Sequence, residues 1–194
     1  MHAIEADRRL TSGLLAMAAL GALLLFSART AHARALITTG CFQPPPTKCT
    51  YLENYPGDNA AQSEIASWMA ARAVQAEIPP ELPLIAALTE SGLRNLGLGE
   101  SDTAGYFQMR VSIWNQGSYA GFPENPDLQI KWFLDQATAV RTARVAAGDT
   151  TFGTDPLKWG AWAADVQRPA EQFRGRYQLR LEDARRLLDL ACDR

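Results

Sequence analysis

Apolar residues recur at helical spacing in five stretches, a pattern that predicts a mainly α domain. The first stretch, from about Ala60 to Ala76, puts Ile65, Trp68, Met69 and Ala73 on one face behind a cap at Asp58 or Asn59, and Pro79-Pro80 stop it. The second runs from Glu81 to Gly92, tolerates Pro83 in its first turn and turns Leu84, Ile85 and Leu88 inward. The third begins near Pro126, carries Ile130, Phe133, Leu134, Ala137 and Val140, and ends before Gly148. A small-residue helix with two tryptophans follows over Leu157 to Gln167. The last, from about Ala170 to Cys192, repeats Phe173, Tyr177, Leu181, Ala184 and Leu188 behind a charged, solvated outer face. Between the second and third helices lie glycine-rich turns, and Gly105 to Met109 predicts a short extended segment.

Upstream the pattern changes. Arg8 and Arg9 precede an apolar run of about 13 residues (Leu14 to Phe26), and Ala31-His32-Ala33 meets the small-x-small rule for signal cleavage. The run is shorter than the roughly 20 residues that span a bilayer as a helix. Residues 1–33 are therefore expected to be an export signal, with no stable membrane insertion once it is cut. An irregular, Pro-, Thr- and Gly-rich segment is expected over 34–57, and a single domain over 58–194.

Removing the signal takes three of the 19 basic residues (Arg8, Arg9, Arg29) and two of the 21 acidic ones (Glu5, Asp7), which leaves 16 against 19. That balance offers no basic surface for nucleic acid. About 160 residues suffice for one core, and a monomer is expected. Cys41, Cys49 and Cys192 allow one disulfide in an oxidising compartment, either a small loop between the first two or a tie from one of them to Cys192. The two histidines, His2 and His32, both lie in the export signal. The domain therefore has no imidazole for a Ser-His-Asp triad, a thiol–imidazole pair, an HExxH helix or an ordinary catalytic zinc site. No cofactor and no metal are expected. What remains is carboxylate chemistry.

Glu90 stands at the end of the apolar second helix, where a carboxyl led out of a core towards a cleft keeps its proton to higher pH than usual. The surrounding residues carry a resemblance. IPPELPLIAALTESGLRN (Ile78 to Asn95), a polar spacer and SDTAGYFQMR (Ser101 to Arg110) resemble the catalytic core of the soluble lytic transglycosylases and goose-type lysozymes. In that core a helix ends in Glu-Ser, and a glycine and an aromatic or apolar pair precede a glutamine. The resemblance covers about 33 residues and implies a lysozyme-like fold with a small extended or β element beside a cleft. It implies Glu90 as the catalytic acid, and Ser91, Gly105, Tyr106 and Gln108 as residues that shape a sugar-binding cleft. WGAWAADVQR (Trp159 to Arg168) is similar in place to the family's third motif, which usually contributes a tyrosine. No tyrosine stands in it here, and Trp162 or Gln167 takes the position. Arg110 likewise replaces the usual residue after the glutamine.

The partner so implied is the glycan strand of peptidoglycan, cleaved between MurNAc and GlcNAc by one carboxylate acting as acid and then as base. A lysozyme-type hydrolase is an alternative, and would need a second carboxylate roughly 5–9.5 Å from the first. Glu100, Asp102 and Asp165 are the candidates, each also readable as a turn residue or cap. A non-catalytic wall-binding or assembly protein on the same scaffold is another alternative. Trp114, Trp159 and Trp162 can stack on sugar rings or simply fill the core.

Overall fold

The computed structural model describes residues 49–99 and 101–192, and the expected export signal lies outside them, as do Cys41 and Glu100. The architecture is mainly helical, with one two-stranded antiparallel hairpin. Among the described residues no helix is long and apolar enough to cross a membrane.

Helix α1 (Gln62–Gln75) buries Ile65, Trp68, Met69 and Ala73, as its apolar spacing predicts. It starts later than expected, at Ala61, whose N–H is accepted by the Glu64 carboxylate at 3.0 Å. Asp58 is not the cap because its carboxylate is engaged elsewhere, accepting from Asn95 Nδ2 at 2.8 Å and from the Tyr55 hydroxyl. Helix α2 (Glu81–Glu90) is the centre of the fold: every residue from Leu82 to Ala87 is buried, and α1, α5 and α6 all pack on it. A helix this apolar has no solvent face to show, so its polar residues gather at its two ends.

The expected extended segment is a hairpin instead. Strands β1 (Thr103–Ala104) and β2 (Met109–Arg110) pair Thr103 with Arg110 and Ala104 with Met109, and Gly105 to Gln108 form the turn between them. Gly105 and Gln108 have φ of 81° and 47°, so neither can continue a strand. The four-residue helix α3 (Val111–Trp114) follows directly. Helix α4 (Pro126–Ala146) begins on the Asn125 side chain, which accepts from the N–H groups of Asp127 and Leu128, with proline in the first turn. Phe133 stacks on Phe107 of the hairpin turn at 4.7 Å between ring centres.

Helix α5 (Trp159–Gln167) packs on α2 and α4. The long last helix expected from Ala170 is broken. Two 3-10 segments, Glu171–Arg176 and Gln178–Arg180, precede α6 (Leu181–Cys192). The break has a visible cause in α5. Gly160 packs so closely on Gln178 that a Cβ there would lie 2.5 Å from the Gln178 backbone nitrogen. The Gln178 amide then fixes the contact, accepting from the Gly160 N–H at 2.7 Å and donating to the Pro156 carbonyl at 3.2 Å. This clamp sets the direction of Tyr177, the residue before it.

The disulfide is the long one. Cys49 and Cys192 are joined across 143 residues with their Cα atoms 4.9 Å apart, tying the chain before α1 to the end of α6. In the loop-entropy picture, a closure of that length is worth about 5 kcal/mol.

Candidate active site

Glu90 is the last residue of α2, and its carboxyl is half-buried. The Tyr177 hydroxyl donates to Glu90 Oε1, while the Tyr177 ring is 1% exposed. Burial pushes the Glu90 carboxyl above the usual carboxylate range, and the Tyr177 hydrogen bond, which favours the anion, only partly opposes it. Tyr177 itself is held far above the ordinary phenol range by burial and by the bond to Glu90. It therefore keeps its proton at any physiological pH and serves Glu90 as a fixed donor. The arrangement is a carboxylic acid that keeps its proton to higher pH than an exposed one and, once ionised, can accept a proton back.

The residues after Glu90 stop the helix and fasten it to the hairpin turn. Ser91 is buried, and its hydroxyl lies 3.0 Å from the Ala87 carbonyl and 2.9 Å from the Tyr106 carbonyl, with one proton to share between them. The same oxygen accepts from the Arg94 N–H at 3.2 Å. Ser91 is thus a strut rather than a surface.

Gly105 is required by its neighbour. A Cβ there would sit 2.3 Å from Gln129 Oε1, and its φ of 81° suits glycine besides. Gln129, on α4, is fully buried and fully used. Its carbonyl oxygen accepts from the Tyr106 N–H at 2.9 Å, and its amide donates to Asn95 Oδ1 at 3.0 Å and to the Phe122 carbonyl at 3.1 Å. Asn95 passes the chain on to Asp58, and Tyr55 closes it by bonding Asp58 and the Tyr106 hydroxyl, the latter at 2.9 Å. Buried polar networks hold a unique geometry only when each member is satisfied, and here the turn is held by four different segments of chain.

Gln108 and Gln167 line one cleft of about 280 Å³, with Trp114 and Trp132 forming its apolar part. The Gln108 amide donates to the Gly105 carbonyl and its oxygen accepts from the Thr103 hydroxyl, both at 2.9 Å. Tyr106 and Trp162 do not reach this surface. Tyr106 is fully buried and edge-on to Tyr55, 6.5 Å between ring centres. Trp162 is fully buried against Phe152, and its indole N–H donates to the Ala137 carbonyl at 2.9 Å. Five positions separate Trp162 from Gln167, roughly 140° around a helix, so the two cannot share a face. The expectation that Trp162 contacts substrate is therefore corrected to a core role, and the tyrosine that reaches Glu90 is Tyr177, from beyond that stretch.

Of the candidate second carboxylates, Asp102 accepts from the Ser112 N–H at 3.2 Å and the Ser112 hydroxyl at 2.5 Å, which hold its carboxyl below the usual range as it steadies the first turn of α3. Asp165 is 15% exposed and gripped by Arg144, at 2.9 Å from Nε and 2.5 Å from Nη2, and by Arg174 from the other side. Both are committed to structure.

Roomier grooves lie elsewhere. One of about 500 Å³ runs between α1 and α4 beside Arg72 and Ile130, and one of about 450 Å³ lies beside Arg141 and Val145. Neither these grooves nor the 280 Å³ cleft has Glu90 or Tyr177 in its lining, so chemistry rather than volume marks the site. Tyr177 was hidden in the sequence because its spacing matches a core stripe; the signal against that stripe is Gly175, two residues earlier, within a presumed helix. Gln129 had no sequence signal at all. No protein-family model, curated protein or solved structure matches this chain.

Proposed function

We propose that the protein is an exported peptidoglycan lytic transglycosylase with a lysozyme-like fold, in which Glu90 is both general acid and general base. The observation that carries this reading is the Glu90 carboxyl itself, half-buried at the end of a helix with no solvent face, raised by burial and steadied by a single neutral hydroxyl from Tyr177. Glu90 donates its proton to the oxygen between MurNAc C1 and GlcNAc as the C1–O bond breaks and an oxocarbenium-like centre develops. The resulting carboxylate then takes the proton from the same MurNAc's C6 hydroxyl, whose oxygen closes on C1. The products are a free GlcNAc 4-hydroxyl and a 1,6-anhydro ring. Glu90 ends protonated, and no water is consumed.

One carboxylate performs both steps, which agrees with the commitment of Asp102 and Asp165 to other partners. Tyr177 holds the carboxyl in one orientation through both. The test is mass spectrometry of the muropeptides released from intact peptidoglycan by the parent protein beside Glu90→Gln. Anhydro-ended fragments from the parent alone are expected. Reducing ends would replace this reading with a hydrolase, and no release from either protein would leave a binding scaffold.

A further inference from the structure

The cleft that Gln108 and Gln167 line has a one-sided chemistry. No carboxylate lines it, although the chain as a whole carries a net charge of −2. Arg110, at the end of β2, and Arg168, at the end of α5, both border it. Among the described residues, Arg110 has Asp102 as its charged neighbour, and Ser112 already occupies that carboxylate. Arg168 makes no ion pair and no side-chain hydrogen bond among the described residues. Two further cleft residues hold buried N–H groups without an acceptor among the described residues, Gln167 at Nε2 and Trp132 at Nε1. Buried donors without acceptors are costly, and four donor side chains around one small space suit a ligand rich in acceptors and negative charge.

The backbone points the same way. Arg168 has φ 54° and ψ 49°, a left-handed conformation that glycine adopts freely and arginine at a cost of about 1–2 kcal/mol. Its N–H closes the helix onto the Ala164 carbonyl at 2.8 Å, which a glycine there would do equally well. The cap alone gives no reason for a long cationic side chain, whereas a carboxylate in the cleft does. Trp114, partly exposed and backed edge-on by the buried Trp132 at 5.3 Å between ring centres, supplies apolar surface on which a sugar ring can pack.

We propose that Arg168, assisted by Arg110, makes this cleft a subsite for a carboxylate-bearing sugar, so that the protein selects glycan whose lactyl group or attached peptide presents a free carboxylate over neutral glycan. The inference rests on the glycan-cleaving reading for the identity of the ligand, but its test does not depend on turnover.

That test is calorimetric titration of the full-length Glu90→Gln protein, alone and with Arg168→Gly or Arg168→Gln added. The probes are neutral chitotetraose, a denuded GlcNAc-MurNAc tetrasaccharide with free lactyl carboxylates, its lactyl methyl amide, and the peptide-bearing tetrasaccharide. At least one carboxylate ligand is expected to bind about tenfold or more tightly than the amide and chitotetraose. Which one does so identifies the carboxylate as lactyl or peptide-borne. Arg168→Gly is expected to abolish the difference while melting no lower than its parent, because it also relieves the left-handed strain. Equal binding of charged and neutral ligands, no binding of any, or a preference that survives both Arg168 substitutions would overturn the proposal. Cleavage of peptidoglycan by the parent without such a preference would remove this inference and leave the proposed function. A preference without cleavage would do the reverse.

Discussion

The two ends of α2 each carry a half-buried glutamate, and the pair isolates what, on the proposed function, would make one of them reactive. Glu81 opens the helix and Glu90 closes it, and burial pushes both carboxyls above the usual range. Glu81 sits where unpaired backbone N–H groups favour an anion, and Arg185, 3.9 Å away, offsets part of its burial. Glu90 sits at the end where carbonyls face outward and an anion is disfavoured, with only the neutral Tyr177 hydroxyl for company. Similar burial therefore sets a carboxyl beside a cation at one end and, on the proposed function, a proton carrier at the other. The difference lies in helix polarity and in the charge of the partner, not in depth.

The ends are also anchored differently. At the Glu81 end a recess of about 220 Å³ is walled by the Cys49–Cys192 disulfide, Tyr51 and Arg185. At the Glu90 end the anchors are hydrogen bonds, running from Ser91 to the Tyr106 carbonyl and from Tyr106 to the buried Gln129.

The largest expected effect tests the functional half of the comparison. Glu90→Gln removes the transferable proton but can still accept from Tyr177, so muropeptide release should fall about 10²–10⁴-fold with the fold intact. The next effects test the anchors. Cys49→Ser should lower unfolding free energy by about 2–5 kcal/mol in denaturant titrations under oxidising conditions, with no matching loss in the parent's rate per folded molecule. Gly105→Ala drives a methyl into the Gln129 amide and forces alanine to a positive φ, an expected cost of about 2–4 kcal/mol. Unlike the disulfide variant, it should also weaken glycan binding, because the turn that carries Gln108 loses its seat. Equal catalytic damage from the two anchors would erase the distinction between the ends.

How much of this was legible beforehand depends on whether a feature is local. Helices α1, α2, α4 and α5 announced themselves through spacing, and Glu90 through its place at the end of an apolar helix. Gly-Tyr-Phe-Gln-Met reads as a short extended segment, whereas the left-handed conformations of Gly105 and Gln108 fold it into a hairpin turn that Gln129, from another helix, holds at Gly105 and Tyr106. Tyr177 fell on a helical stripe in the sequence, and only the close approach of Gln178 to Gly160 breaks that helix and turns the hydroxyl to Glu90. Long-range packing decided each of these, and one-dimensional spacing carries no record of it.

Tyr177→Phe examines the partner at the reactive end. The hydrogen bond it removes favours the Glu90 anion, so the Glu90 carboxyl should titrate higher still, and the basic limb of the pH–rate profile should move to higher pH. The maximal rate should fall about tenfold as the carboxyl loses its fixed orientation. A rate loss with an unmoved profile would reduce Tyr177 to packing.

Glu81→Gln should have the smallest effect, and its sign is opposite to that of an ordinary surface ion pair. Because burial raises the folded-state carboxyl above its unfolded value, the stability it contributes is complete below the ordinary value of 4.5 and is lost as pH rises through the raised one. Arg185, which is 40% exposed and screened, offsets only part of that loss. The glutamine variant should therefore match the parent at about pH 4 and exceed it near neutrality, by less than about 1 kcal/mol, with cleavage unchanged. If the parent were instead the more stable near neutrality, the Arg185 attraction would outweigh burial, and the contrast with Glu90 would rest on the ion pair more than on the helix end. If cleavage fell as far as in Glu90→Gln, the division of α2 into a structural and a reactive end would not survive.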